Sequence, residues 1–119
     1  MTDNEINRLV CEKVLGWTEE PLPVHKEWTW GDTFWRIGPS GGVGHTPDFC
    51  NDWRAFGLLW EALVKDERSP DIQQVARTAR ALVALHPYDN HEADVFDSSP
   101  CRALALAALK AYGVKEENI

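Results

Sequence analysis

The glycine-rich segment GPSGGVGH, residues 38–45, is the first feature of this 119-residue chain that could do chemistry. Glycines allow successive backbone N–H groups to close around an anion, as in phosphate-binding loops. The segment lacks the Lys-Ser/Thr pair of a P-loop and does not match the G-x-G-x-x-G pattern of dinucleotide-binding folds. We therefore interpret residues 38–48 as a surface loop. The residues that it could offer to a partner are Gly41, Gly42, Gly44 and His45.

A second group consists of metal-ligating residue types near the end of the chain: His86, Asp89, His91 and Asp94. Zinc requires ligands that converge on one point in tetrahedral geometry. On a hairpin these side chains fall mostly on opposite strand faces, and turns favour Asp and Asn for reasons unrelated to metals. We predict that the chain holds no metal and no cofactor. Together with Tyr88, this tip is instead an alternative protein-binding surface.

Nucleophilic catalysis would need a Cys or Ser beside a base and an orienting group. Cys50 stands five residues from His45, but it borders a helix start, and no segment matches a nucleophile motif such as G-x-S-x-G. Cys11, Cys50 and Cys101 form no C-x-x-C pair and lie at apolar or helix-start positions. We therefore expect free, buried thiols without a function, and we predict no catalytic residue.

The charge balance restricts the class of partner. The chain carries 19 acidic and 12 basic residues, a formal charge of −7, and its basic residues do not cluster. Nucleic-acid binding depends on neutralising phosphates, so we predict no general nucleic-acid binding and favour a partner protein with a basic surface. The N-terminus has no signal-peptide pattern and no apolar run is long enough to span a membrane, which predicts a cytoplasmic protein.

Two elements are predicted in the first third of the chain. Thr2 and Glu5 form a capping box, followed by apolar residues at helical spacing up to Gly16. The segment 24–37 then alternates like two strands that turn at Gly31-Asp32. Such a ribbon cannot direct Trp28, Trp30 and Trp35 to one side, so at least one of these rings should reach the surface.

Four further elements are predicted in the rest of the chain. Asn51 is expected to cap a second helix whose buried stripe includes Trp53 and Trp60. Ser69-Pro70 is expected to begin another helix, with Ile72, Val75, Ala76 and Ala79 on one face. The segment 81–96 suggests a second hairpin, although a helix through Leu85 is the alternative. Ser99-Pro100 begins a final helix that is apolar nearly all round and therefore buried.

These elements predict one α+β domain over residues 1–119, with 114–119 as a solvated tail. A small antiparallel sheet, made of the Trp-rich hairpin and the C-terminal hairpin, would be covered by three to four helices. The predicted core consists of Ile6, Leu9, Val10, Val14, Phe56, Leu59, Leu63, Leu104, Ala108 and Leu109.

Three segments resemble the phage ABA-sandwich domain family, small proteins of bacteriophage and prophage genomes. LVCEKVLGW at 9–17 is similar to that family's opening helix, PDFCNDWRAFGLLWEAL at 47–63 to its middle helix start, and SSPCRALALAALKAYG at 98–113 to its final helix. The resemblance covers about a third of the chain in the right order. It implies a fold of helices over a small antiparallel sheet and a phage origin, and it implies no catalytic residues.

We interpret the chain as a non-enzymatic phage accessory protein that binds a bacterial host protein, such as a component of host defence. The predicted binding face combines Trp28, Trp30 and Trp35 with the adjoining glycine-rich loop, because Trp is enriched in interface hot spots. A small-ligand or nucleotide-sequestering protein that uses Trp stacking and loop amides is the alternative, and an unrecognised enzyme is a second one.

Overall fold

The structure is a computed structural model that describes residues 1–19, 34–37, 42–85 and 91–114. The helical elements are α1 (Asp3–Leu9), a π-helical turn (Val10–Val14), α2 (Trp53–Lys65) and α3 (Pro100–Ala111). The strands are β1 (Thr18–Glu19), β2 (Phe34–Ile37), β3 (Gly42–His45), β4 (Arg68–Val75), β5 (Thr78–Leu85) and β6 (His91–Asp97). The predicted α+β class is confirmed.

The first helix begins where the capping signal places it. The Glu5 backbone N–H donates to Thr2 Oγ1 at 3.2 Å, which satisfies one of the amides left open at a helix start. After Leu9 the helix widens into the π-helical turn, in which the Leu15 N–H donates to the Val10 carbonyl. Ile6 of α1 and Val10 of the π-helical turn are buried and belong to the predicted core.

The second helix begins one residue later than predicted. Asp52, not Asn51, is its N-cap, and Asp52 Oδ1 accepts the Arg54 N–H at 3.0 Å. The preceding residues form a turn in which the Asp52 N–H donates to the Asp48 carbonyl, so the chain enters the helix only after Asn51. The Asn51 side chain instead donates to the carboxylates of Asp48 and Asp3.

The helix predicted to begin at Ser69-Pro70 is wrong, because β4 and β5 form an antiparallel hairpin there. Along β4, Pro70 and Ile72 are half-buried while Asp71 and Gln73 are exposed, which is the two-residue period of a strand. The helical spacing from Ile72 to Ala79 arose because two strands, each apolar on one face, follow each other closely. Pro70 is tolerated because β4 is an edge strand of its described sheet.

The predicted C-terminal hairpin is present as β5 and β6, and the alternative helix through Leu85 does not form. With β4 these strands make a three-stranded antiparallel sheet, in the order β4-β5-β6. Ala79, Ala81 and Val83 of β5 are buried together with Ala93 of β6. This small-residue face of the sheet packs against α3.

Residues 42–45 form a strand, although the whole segment 38–48 was predicted to be a loop. β3 pairs with β2 in the register Trp35↔Gly44 and Arg36↔Val43. β1 pairs with the other edge of β2, giving a second three-stranded sheet, in the order β1-β2-β3. The antiparallel structure predicted as one sheet is therefore divided between two in the described part of the chain.

α3 lies at the centre of the described structure. Ser99 caps it by accepting the Arg102 N–H, and Pro100 occupies its first turn. Every residue from Ala103 to Leu109 is buried, and the helix contacts α1, the π-helical turn, α2 and all three strands of the β4-β5-β6 sheet. Gly113, at φ +85°, ends it, and the Val114 N–H donates to the Leu109 carbonyl. Val114, predicted as tail, packs against the core.

Most of the predicted core is confirmed as fully buried, and the remaining members, Leu9, Val14 and Phe56, are half-buried against it. No helix in the described ranges combines the length and the apolar character needed to cross a membrane. Several predicted features lie outside the described residues: the Gly31-Asp32 turn, Trp28, Trp30, Gly41, His86, Tyr88, Asp89 and residues 115–119.

The central position of α3 makes its core residues sensitive to truncation. Leu104 is 0% exposed. Leu104→Ala should lower the free energy of unfolding by about 2–5 kcal/mol, because it removes buried apolar surface and leaves a cavity. Urea denaturation measures the loss. Val75→Ala, at an exposed strand position, is the control and should cost less than about 1 kcal/mol. A similar small loss for Leu104→Ala would show that α3 is peripheral.

Candidate functional site

Trp35 is the only one of the three predicted hairpin tryptophans within the described residues, and it is 1% exposed. Its indole Nε1–H donates to Thr46 Oγ1 at 2.8 Å, so the polar edge of the ring is satisfied inside the protein. Trp35 therefore supports the β1-β2-β3 sheet as a core residue. In this conformation it cannot present its ring to a partner.

The glycines of the predicted loop have a structural use in β3. Gly44 lies opposite Trp35, and a Cβ at Gly44 would stand 3.0 Å from the Ile37 side chain. A side chain there would press against Ile37, so the glycine accommodates the bulky residues of β2. Gly42 lies opposite Ile37 in the same ladder.

The other face of this sheet is open to solvent. Val43, opposite Arg36, is 50% exposed, and Arg36 and His45 are also exposed. These three side chains share one face because residues directly opposite each other, and residues two apart, lie on the same side of a sheet. We refer to Arg36, Val43 and His45 as the β2-β3 face. Of the predicted binding residues that the structure describes, His45 lies on this face, whereas Trp35, Gly42 and Gly44 lie on the opposite one.

The alternative tip is represented by Asp94 and by the backbone of His91 in β6. Both carboxylate oxygens of Asp94 accept from Arg80, at 2.8 and 2.6 Å, in a two-pronged ion pair across the sheet. The Arg80 guanidinium also lies 5.4 Å from the ring centroid of exposed Phe96. Asp94 is therefore engaged structurally. Within the described residues, no three His, Cys, Asp or Glu side chains could jointly hold a metal ion.

All three cysteines are buried free thiols, as predicted. Burial is the main cause that raises the pKa of Cys50 to about 12, and the carboxylates of Asp3 and Asp48 add to it. Burial also raises the pKa of Cys101. Because the thiolate is the reactive form, Cys50 is a poor nucleophile in this environment.

The thiols should be unreactive in the folded protein. In the native state at about pH 8, DTNB should label none of them quickly, and it should label all three after urea denaturation, since burial hides the sulfur and keeps it protonated. Ellman absorbance measures both states. Rapid labelling of the native protein would contradict the buried assignment. A variant with all three cysteines changed to Ala should retain partner binding, although its stability can fall.

Arg102 is the centre of a polar network at the beginning of α3. Its Nη1 donates to Asp97 Oδ2 at 2.6 Å, and its Nε donates to Asp3 Oδ1 at 3.1 Å. Asp97 also accepts the Ser99 N–H, and the Ser99 hydroxyl donates to the Cys50 carbonyl. One guanidinium thus ties the start of α1 to the end of β6, while Ser99 ties the start of α3 to the segment before α2.

The network continues through Asn51, Asp48 and Asn7. Asn51 Nδ2 donates to Asp3 and to Asp48, each at 3.2 Å, and Asn7 Nδ2 donates to Asp48 Oδ1 at 3.2 Å. Asn7 is buried, and its Oδ1 has no hydrogen-bond partner among the described groups. These residues lie near the N-terminal ends of three helices, where carboxylates are favoured by the helix dipoles. The network is structural.

This arrangement makes stability depend on pH through Asp3. Hydrogen bonds from Asn51 and Arg102 lower the pKa of Asp3 from 3.8. A carboxylate with a lowered folded pKa stabilises the fold above its unfolded pKa, and this contribution disappears as the pH falls through the folded pKa. Asp3→Asn should therefore reduce the free energy of unfolding most above about pH 4, and the difference from wild type should shrink towards about pH 2.

Urea melts of the two proteins across this pH range measure that difference. Glu5→Gln, at an exposed position in the same first turn, is the control and should follow the wild-type pH profile more closely. A constant difference between Asp3→Asn and wild type at all pH values would show that the Asp3 charge does not contribute.

The aromatic face of α2 is the surface that sequence reasoning missed. Trp53, predicted to be buried, is 61% exposed. Its ring centroid lies 4.9 Å from that of Phe56, which in turn lies 5.8 Å from that of Trp60. Val64 is 53% exposed. At 100° per residue, these side chains occupy one sector of the helix, extending from the core edge outwards.

Gly57 lies in the outer part of the same sector. It is exposed in the middle of α2, and a Cβ there would meet no atom within 4 Å. Glycine in a helix interior costs about 1 kcal/mol relative to alanine, and no contact within the described chain requires it here. We define Trp53, Gly57, Trp60 and Val64 as the α2 aromatic face. The sequence did contain a signal for this face: the apolar stripe of the helix is wider than the part of a helix that a core usually covers.

Comparison with known proteins finds no match among family models, curated proteins or solved structures. The resemblance to the phage ABA-sandwich family therefore stays a prediction from the three sequence segments.

Proposed function

We propose that this chain is a non-enzymatic accessory protein, of phage or prophage origin, that acts by binding a bacterial host protein with a basic surface. We infer a basic partner from the arrangement of charged side chains among the described residues. Five basic side chains lie within 4 Å of a carboxylate of this chain: Arg8, Lys13, Arg68, Arg80 and Arg102.

These internal ion pairs reduce the positive charge available to an acidic partner. Glu5, Glu61 and Glu67 are exposed, and none of them forms an ion pair within the described residues. The sequence as a whole has 19 acidic and 12 basic residues, which gives the chain a net charge of −7. A protein of this charge steers the approach of a basic protein and repels nucleic-acid phosphates.

The described residues give less support to the two alternatives, a nucleotide-sequestering protein and an enzyme. The nucleotide-sequestering site predicted from the sequence would combine a Trp of the hairpin with free amides of the glycine-rich loop, whereas Trp35 is buried and Gly42 and Gly44 belong to a strand. A cysteine enzyme would use a thiolate, whereas burial holds Cys50 in its protonated form. Contact between proteins requires neither.

The proposed contact surface is the β2-β3 face together with the predicted anchors Trp28 and Trp30. The exposed Val43 supplies apolar area at its centre, flanked by the polar side chains of Arg36 and His45. Interfaces combine a small apolar centre with a polar rim in this way. A defence component of the host is the target class that the phage resemblance implies.

A salt-dependent capture experiment tests this proposal. Immobilised protein should enrich host proteins of high isoelectric point from bacterial lysate at low salt, and capture should fall as salt screens the attraction. Val43→Asp should reduce binding of the main captured protein by at least about tenfold, because it places a charge in the apolar centre.

Val75→Asp is the matched control, because Val75 is 49% exposed on a strand of the other sheet. It should bind like wild type. Trp28→Ala or Trp30→Ala should weaken binding by about 2 kcal/mol, as hot-spot truncations do. Equal binding by Val43→Asp and wild type, with loss only in Tyr88→Ala, would move the site to the alternative tip. Capture of mainly acidic proteins would contradict the proposed partner class.

A further inference from the structure

The α2 aromatic face is distinct from the surface proposed for the host partner. Trp53 and Val64, two of its four residues, are more than half exposed, and Gly57 between them is exposed as well. A rigid aromatic stripe of this kind is typical of a protein interface rather than of ordinary solvent-facing helix surface. The charged residues along its edge indicate what occupies it.

Two oppositely charged residues lie along one edge of this face. At 100° per residue, Arg54 and Glu61 fall within about 20° of each other around the helix, next to the sector of Trp53 and Gly57. Both are exposed, and neither forms an ion pair within the described part of the chain. They stand at equal distances on either side of the point between Gly57 and Leu58. Reversing the helix direction about that point therefore exchanges their positions.

This pattern is complementary to itself in the antiparallel orientation. A two-fold axis perpendicular to both helices keeps each edge of the face on its own side and reverses the chain direction. If a second α2 packs in this way about Gly57-Leu58, Arg54 of each copy faces Glu61 of the other, and two ion pairs form. In a parallel pair the two edges lie on opposite sides, so these residues do not meet. Antiparallel packing also opposes the two helix dipoles favourably.

Gly57 supports the same antiparallel packing independently of the charge pattern. It lies at the midpoint of this charge pattern, and a Cβ there would meet nothing in its own chain. The absence of a side chain permits close approach of another helix at that point. The exposed Trp53 and Val64 rise on either side of Gly57 along the helix and would flank the crossing helix.

We propose that the α2 aromatic face binds a second copy of this chain, forming a two-fold symmetric dimer with α2 packed antiparallel about Gly57-Leu58. Such an interface is isologous: each copy contributes the same surface, and every contact occurs twice. The inference does not depend on the identity of the host partner.

Sedimentation of the purified full chain over a range of concentrations tests the proposal. Wild type should show a monomer–dimer equilibrium. Arg54→Glu and Glu61→Arg should each raise the dimer dissociation constant by about tenfold or more, because each places two like charges together twice. The double variant R54E/E61R exchanges the partners and should return the constant to within about threefold of wild type.

Controls distinguish this interface from a general effect of charge. Arg77→Glu makes the same charge change in the exposed β4-β5 turn and should leave the dissociation constant unchanged. Trp53→Ala removes no charge and should raise the constant by roughly 30-fold, as the loss of a hot-spot residue does. Circular dichroism confirms that each variant is folded.

Cross-linking places the symmetry axis. In the Gly57→Cys variant, the introduced thiols of the two copies should form a disulfide under mild oxidation, whereas those of Arg77→Cys should not. A chain that stays monomeric at its highest soluble concentration would overturn the proposal, including the case in which a different protein occupies the face. A dimer that resists the charge reversals, that R54E/E61R fails to restore, or that forms no disulfide in the Gly57→Cys variant would equally overturn it.

Discussion

The enclosure of α3 is the constraint on which the rest of this structure depends. A helix that is apolar on nearly every side cannot present a face to water, so it must be covered all round. Its residues Ala103 to Leu109 are buried by α1, α2, the π-helical turn and the β4-β5-β6 sheet. The alanines on α3 and the alanines of β5 let the helix lie close to the sheet. The helices α1 and α2 and the β4-β5-β6 sheet thus pack on different sides of α3 and share one core.

The polar network at the start of α3 fixes the positions of these elements relative to one another. Apolar burial alone is non-directional and tolerates sliding of one element over another. Arg102, held by both Asp97 and Asp3, fixes the end of β6 against the start of α1. Ser99 fixes the segment before α2 through the Cys50 carbonyl. Among the described residues, Arg102, Asp97 and Asp3 therefore help to orient the fold.

With the ionisable groups used in this way, the surface divides into two unlike regions. The β2-β3 face is small and carries the basic Arg36 at its rim, so an electrostatic attraction for a basic partner would come from the net negative charge of the chain and not from this face. The α2 aromatic face is more apolar, and it has one basic and one acidic residue along one edge. This pattern is complementary to the same face of a second copy of the chain. The net charge of −7 is a property of the whole chain, so it does not distinguish the two faces; the positions of individual charged residues do.

The sequence by itself determined the elements whose signals are local. Thr2 and Ser99 cap helices by accepting N–H groups three residues further on, and α3 is buried because it is apolar nearly all round. The free cysteines, the β5-β6 hairpin and the α+β class also followed from local composition and spacing. Only part of the candidate site was predictable: Gly42, Gly44 and His45 lie at the predicted place but in a strand.

Only the tertiary structure decided which of several similar patterns applied. The spacing from Ser69 to Ala79 fits a helix, yet these residues belong to two strands, because the pairing of β5 with both β4 and β6 is a tertiary contact that local spacing does not show. Trp35, a member of the predicted binding face, is buried with its indole bonded to Thr46, whereas Trp53, predicted for the core, is 61% exposed. Helical spacing states which residues share a face, but how wide a face becomes buried depends on the neighbours that pack against it.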